Sequence, residues 1–374
     1  MGKEFIPHYL ESKHPYGCRL PPLFPPSSSS SSSSSSAPTT SSVRRKRSRH
    51  VYDLDDEVIQ LILSFLDAPS LAKIMCVSRY FYVHSNSTDL WRDLVLLLCV
   101  VRQKSVEFTV SWRDTYAILS SSSSSSSSLK ALKPHSPIII ENFYSKTLYR
   151  PWACTAYDLE ASFPKFFSGN NITRIEASSL TYESFFSNFE SKNIPLVITN
   201  GIADWPALSK WTDDYLSSSC EGSFFRATSA MASSTASFAM KDYLSYSKQC
   251  REEVPLYLFE RNFCAHPKLA KDFFVPSFFD SSLHPSTDLF RLLGSSRRPD
   301  FRWLIVGPKK SGSIFHIDPN MTHAWNAVIR GRKKWIFYPP LISPPVSSAS
   351  SLSSICMFLL LLPHIILFWA MMKN

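Results

Sequence analysis

Apolar positions change their period along the chain. Val58, Leu61, Ile62, Phe65 and Leu66 recur at the spacing of one helix face. Asp53, Asp55, Asp56 and Glu57 precede them, placing negative charge where a helix dipole favours it. Asp67-Ala68-Pro69 breaks this run; Leu71, Ile74, Met75 and Val77 start a second helix, and a third segment ends in Leu90-Trp91. Three short helices make a marginal core, so a partner covering their apolar surface is expected. A plain three-helix packing unit is the alternative.

From residue 195 onward the pattern shortens to strands with aromatic punctuation. PLVITNGIADWPALSKWT (195–212) opens the region. VPLYLF (254–259), FRWLIVGP (301–308), SIFHID (313–318), WNAVIRG (325–331) and KKWIFYP (333–339) read as strands bounded by Pro, Gly or Asp-Pro. HPKLAKDFF reads as helix. Such closely spaced strands predict a β-sandwich or jelly roll, and the whole chain a multidomain α+β protein.

Two polyserine tracts, Ser27–Ser36 and Ser120–Ser128, bury nothing and act as linkers. They suggest a disordered Pro/Ser-rich head (1–50), a helical domain (51–118), a linker (119–130), a long aromatic-rich domain (131–340) and a low-complexity, apolar tail (341–374). Composition supports a real core: 44% of the 374 residues are hydrophobic, with 27 Phe, 15 Tyr and 9 Trp. The net charge of +10 is densest in RRKRSR (44–49). In a disordered stretch that run suits a nuclear import signal as well as a solvated charge cluster. Direct nucleic-acid binding is not expected, because no aromatic or recognition helix accompanies it. The expected location is the nucleus, with the cytoplasm as alternative. Eight Cys without a CxxC pair suit a reducing compartment. The N-terminus shows no apolar signal-peptide core, and Gly2 lacks the Ser or Thr at position 6 that myristoylation wants.

The candidate chemistry lies in FHIDPNMTHAWNAVIRGRKKW (315–335). On a strand, His316 and Asp318 project to one side, giving two thirds of the facial triad of non-haem Fe(II) oxygenases. Pro319 ends the strand there. Lys333, beyond the Gly331 turn, is a cation suited to the far carboxylate of a dicarboxylic co-substrate such as 2-oxoglutarate. Asn326, Ser313 and Tyr257 offer neutral hydrogen bonds. A bare His-x-Asp pair also arises by accident on surface strands, and a lysine at a strand end is often merely solvated.

Two resemblances sharpen this reading. The L-x-D-E opening, S-F-L-D-x-P-S-L turn, V-S-R-Y-F and D-L-W-R of residues 54–92 resemble the F-box, with Asp55 where that family usually has Pro. The resemblance implies docking to the Skp1 adaptor of a cullin ubiquitin ligase through Leu54, Leu61, Ile62, Phe65, Leu66 and Trp91. P-L-V-I-x-x-G-x-x-x-W-P-A, P-L-Y-L-F, H-P-K, R-W-L-I-V-G-P, H-I-D-P, A-W-N-A-V-I-x-G-x-K and W-x-x-Y-P-P, from about 195 to 340, resemble the JmjC domain. The nearest branch is the phosphatidylserine-receptor-like one of Fe(II)/2-oxoglutarate oxygenases. It implies an incomplete double-stranded β-helix (a cupin-like jelly roll) and makes His316 and Asp318 catalytic iron ligands. Lys333, Asn326, Ser313 and Tyr257 then hold 2-oxoglutarate. Oxidative decarboxylation of 2-oxoglutarate drives hydroxylation or N-demethylation of a protein substrate. His323, five residues past Asp318, is read as a loop residue.

The family's second His ligand lies many tens of residues downstream, whereas this sequence passes into PPLISPPVSSASSLSS and ICMFLLLLPHIILFWAMM. His364, preceded by Pro363, stands too close to His316 to match it. The apolar run (354–372) has three readings: a membrane anchor near the lower length limit, stray core strands, or an alternative C-terminus replacing the rest of the domain, the one favoured. An oxygenase and a non-catalytic adaptor therefore remain as rival functions.

Overall fold

The computed structural model describes residues 51, 54–121, 145–150, 172–229, 235–250, 252–285, 288–313 and 316–337, and residues 364–371 as backbone strand. The basic run at 44–49, most of the second serine tract and residues 354–363 lie outside the described residues. The described chain divides into two compact units. One comprises residues up to Trp91 with 145–150, and the other Arg92–Ser121 with the residues from 172 on. The helical segment expected over 51–118 is thus divided at Trp91.

In the first unit, helices α1 (Asp56–Ser64), α2 (Ala68–Met75) and α3 (Arg79–Ser85) follow in close succession. Each boundary has a local cause. The Asp67 carboxylate accepts from Ser70 N at 2.9 Å and Pro69 occupies the first turn of α2. Ser78 Oγ accepts from Phe81 N at 3.2 Å at the start of α3. Helix α4 (Thr88–Arg102) begins after Asn86, so Leu90 and Trp91 open a new helix rather than end the third. Ile59 and Leu63 of α1 are buried with Leu71, Val83, Leu90 and Trp91. The acidic opening of α1 does more than meet the dipole: Asp56 accepts Ser145 Oγ at 2.8 Å and Thr147 N at 3.3 Å, and lies 3.6 Å from the buried His84.

The second unit has a two-stranded parallel sheet, β1 (Thr173–Glu176) with β2 (Leu196–Thr199), and a six-stranded sheet in the order β4-β3-β5-β6-β8-β7. Its strands are β3 (Phe224–Thr228), β4 (Ala236–Ala239), β5 (Tyr257–Glu260), β6 (Arg302–Gly307), β7 (His323–Arg330) and β8 (His364–Met371), and every pairing in it is antiparallel. Alternation gives one deeply buried face, carrying Phe225, Ala227, Leu258, Leu304 and Val306. Helix α5 (Trp112–Ser120), capped by Ser111, and helix α6 (Met240–Gln249) also belong to this unit. From α6, the fully buried Tyr243 donates to Val306 O at 2.6 Å and accepts from Leu258 N at 3.1 Å. Tyr246 accepts from Leu256 N and donates to Glu252, each at 2.9 Å. Glu252 also accepts Arg92 Nη1 at 2.6 Å and Trp112 Nε1 at 2.8 Å. At the sheet margin Val106 N donates to Ser237 O, occupying an acceptor of edge strand β4.

Three expectations change. Residues 316–318 and 332–337 are not strands, although SIFHID and KKWIFYP were expected to be. A strand exists only with a ladder partner, and the position between β6 and β7 is filled by β8. The apolar tail is therefore a sheet strand over 364–371, pairing with β6 and β7. Among the described residues no helix is long and apolar enough to cross a membrane, which removes the helical-anchor reading for 364–371. The described strands form one six-stranded sheet and a separate pair, an arrangement consistent with part of a jelly roll. Finally, His323 starts β7 instead of lying in the loop.

Replacing Glu252 by Ala leaves Arg92, Trp112 and Tyr246 without their buried acceptor. Breaking such a network should cost about 3–5 kcal/mol, read as a lower urea midpoint with unchanged slope.

Candidate active site

The candidate residues come from three backbone segments. Tyr257 is the first residue of β5, opposite Thr228 of β3. Ser313 follows β6 after a turn in which Ser311 Oγ donates to Pro308 O at 2.8 Å. The two hydroxyls meet at 3.3 Å. His316 and Asp318 lie outside the strands, and Pro319–Met321 then turns the chain into β7. Asn320 and Met321 both take positive φ, 58° and 55°. Left-handed backbone is unfavourable for Met and is found mostly where a surrounding structure imposes it, as at functional turns.

His316 Nε2 stands 3.2 Å from Asp318 Oδ1. Two donors each about 2.1 Å from one metal at a right angle lie about 3 Å apart, so this spacing fits two adjacent positions on one ion. Among the described residues no group of three or more His, Cys, Asp or Glu side chains converges. They thus offer two positions of a facial triad.

The other half of the site grows from β7. Asn326 is half-buried, and after the Gly331 turn (φ 89°) Lys333 Nζ donates to Asn326 Oδ1 at 2.9 Å. The same ammonium lies 3.7 Å above the Trp335 ring, which stacks on Phe337 with centroids 5.3 Å apart. Burial pulls the Lys333 pKa down to about 7, with Asp318 acting in the opposite direction. Lys333 is thus joined to Asn326 by a hydrogen bond and to Asp318 by electrostatics. The expected residues fall into two groupings: Tyr257 with Ser313, and His316, Asp318, Asn326 and Lys333. Trp335 was missed, although its i+2 spacing from Lys333 puts both on one side of an extended chain.

On the first unit, Leu54, Leu61, Ile62 and Phe65 are exposed, Phe65 at 81%, and Val58 and Val77 join them. Leu66 is half-buried. Trp91 departs from the expectation of a partner-facing residue: it is 5% exposed and its indole donates to Ser85 O at 2.8 Å, so it serves the unit's own core.

These features are a helical unit with an exposed apolar face and a domain with a metal-suited pair near a half-buried lysine. Residues 53–97 match the family profile described as F-box-like, and residues 182–351 the one described as Cupin-like domain. The chain is 38% identical over 293 residues to the Arginine-specific demethylase JMJ22 of Arabidopsis thaliana, covering 78% of this chain and 53% of that protein. It is 33% identical over 193 residues to the Bifunctional arginine demethylase and lysyl-hydroxylase psr-1 of Caenorhabditis elegans (51% of this chain, 46% of that protein). With the 2-oxoglutarate and iron-dependent oxygenase JMJD4 of Gallus gallus it shares 25% identity over 212 residues (50% and 49%). The chain spans about half the length of these relatives. The chain thus resembles F-box-like and Cupin-like proteins, and the relatives it matches carry the names of demethylases, a lysyl-hydroxylase and a 2-oxoglutarate and iron-dependent oxygenase.

Because the folded Lys333 pKa is depressed to about 7 from 10.5, the unfolded chain binds more protons between those values. Its contribution therefore makes stability rise with pH across that window, and below about 7 the burial penalty is present in full. Lys333→Met should stabilise the ligand-free protein more at pH 6 than at pH 10, as measured by denaturant unfolding at both.

Proposed function

We propose that the aromatic-rich region, residues 131–340, is a 2-oxoglutarate-dependent Fe(II) oxygenase domain built on an incomplete double-stranded β-helix. The reading is carried by one observation: His316 and Asp318 converge at 3.2 Å while Lys333, enclosed and hydrogen-bonded to Asn326, feels the Asp318 charge. His316 and Asp318 hold the iron. Lys333 receives the far carboxylate of 2-oxoglutarate in a charge-assisted bond, and Asn326, Ser313 and Tyr257 orient it. When bound, iron and 2-oxoglutarate supply the oxidising chemistry that hydroxylates a protein side chain or removes an N-methyl group. Trp335 holds the ammonium of Lys333 from the side, so the cation needs little reorganisation to meet a dianion. The relatives' names, arginine demethylase and lysyl hydroxylase, favour an arginine or lysine side chain as substrate. The basic run at 44–49 favours a nuclear protein as its bearer. The F-box-like unit docks a Skp1-type adaptor through Leu54, Leu61, Ile62 and Phe65, making the chain a substrate receptor of a ubiquitin ligase.

Calorimetric titration with Mn(II) as an iron surrogate tests the metal reading. His316→Ala or Asp318→Ala should weaken binding about tenfold or more. Lys333→Ala should weaken 2-oxoglutarate binding by about 10- to 100-fold, the loss of a charged hydrogen bond. Unchanged affinities would refute the assignment. Succinate release with Fe(II) and 2-oxoglutarate tests turnover.

A second reading is a non-catalytic adaptor, favoured by the two-position donor set among the described residues. Metal binding without succinate release would support it. In both readings Leu61→Glu with Phe65→Glu should abolish capture of purified Skp1 while leaving the thermal midpoint within a few degrees, since both side chains are exposed.

A further inference from the structure

His84 is fully buried in the first unit, and neither the oxygenase nor the docking reading uses it. Two other segments of that unit converge on its ring. From α1, Gln60 Nε2 donates to His84 O at 2.9 Å and stands 3.4 Å from His84 Nδ1. From residues 145–150, Thr147 Oγ1 stands 3.5 Å from the same nitrogen. The other ring nitrogen, Nε2, lies 3.6 Å from Asp56 Oδ1 of α1. The ring of Tyr80 packs against the imidazole, with centroids 4.5 Å apart.

These contacts fix the state of the imidazole. The bond to His84 O identifies the Gln60 nitrogen as the amide NH2 group. Its second N–H meets Nδ1, so that ring nitrogen is the acceptor. The ring proton then sits on Nε2, facing Asp56 Oδ1, while Asp56 Oδ2 accepts Ser145 Oγ at 2.8 Å and Thr147 N at 3.3 Å. A second proton has to enter at Nδ1, where it opposes the Gln60 donor; Thr147 Oγ1 offers only a long contact. Burial acts in the same direction, holding the His84 pKa below its ordinary 6.5, with Asp56 opposing. Of the other charged groups on the surrounding elements, Asp55, Glu57, Lys73, Arg79, Asp89 and Lys146 are exposed and Arg150 is half-buried.

We propose that His84 is a proton-operated latch: neutral, it joins α1, α3 and residues 145–150, and protonated, it drives the Gln60 donor and the 145–150 segment away. Helix α1 also carries the exposed Leu61, next to Gln60, with Ile62 exposed beside it and Phe65 at its end. Opening the latch therefore disturbs the apolar face that the docking reading uses. The unfolded chain takes up a proton that the folded ring does not. The stabilising contribution of neutral His84 is thus present in full above pH 6.5 and is lost as pH falls from there toward the folded pKa.

Hydrogen exchange of the full chain, read by mass spectrometry and corrected for intrinsic rates, tests the proposal at pH 7.5 and pH 5.0. Peptides covering 56–64, 79–85 and 145–150 should open about tenfold more readily at the lower pH, the effect of one buried donor left without an acceptor. Gln60→Glu replaces the opposing donor with a carboxylate that accepts from the protonated ring, and it should remove that response. His84→Asn, which cannot take up a second proton, should remove it as well. No response in the wild-type chain, or a response retained in either variant, would overturn the proposal. Capture of purified Skp1 at both pH values separates the latch from the docking reading. Capture that fails at both counts against docking alone, and the exchange result still decides the latch.

Discussion

Two tyrosines on one helix hold the large sheet of the second unit in register. Tyr243 bonds to both β5 and β6, and Tyr246 bonds to the backbone entering β5 and to Glu252. These hydroxyls and the Glu252 carboxylate are buried where water cannot replace them, so the bonds constrain geometry as well as contribute energy. Arg92 and Trp112 converge on the same carboxylate, so segments far apart in sequence share one anchor. The position of β5 against β6 follows, and with it Tyr257 at the head of one strand and Ser313 just beyond the other.

The candidate active site grows outward from that frame. Its metal-suited pair sits not on a ladder but between β6 and β7 in the chain, followed by a turn with two left-handed residues. Its cation sits past a glycine turn at the far end of β7 and folds back onto Asn326 of that strand. The rigid sheet thus presents side chains that leave it at strand ends, a common way for β-rich domains to carry chemistry on loops. Enclosing Lys333 against Trp335 lowers its affinity for a proton until an anion arrives.

The two units divide the apolar surface differently. In the second, Phe225, Phe238, Tyr243 and Tyr246 are buried together, with Phe238 packed against both tyrosines of α6. In the first, one α-helix serves two purposes: Ile59 and Leu63 enter the core, whereas Leu61 and Ile62 face out with Phe65. Local periodicity cannot distinguish these faces when both are apolar, because what decides is which side neighbouring helices cover.

The sequence by itself determined the helices over 56–85, the strands at 257–260, 302–307 and 323–330, and the local groupings of His316 with Asp318 and of Asn326 with Lys333. Those follow from caps, turn residues and short-range spacing, which act within a few residues. Tertiary structure alone decided that 316–318 and 332–337 stay outside the sheet, that the apolar tail pairs as β8 between β6 and β7, and that Trp91 goes inside. A strand needs a partner and a buried face needs a cover, and both come from parts of the chain that local pattern does not link.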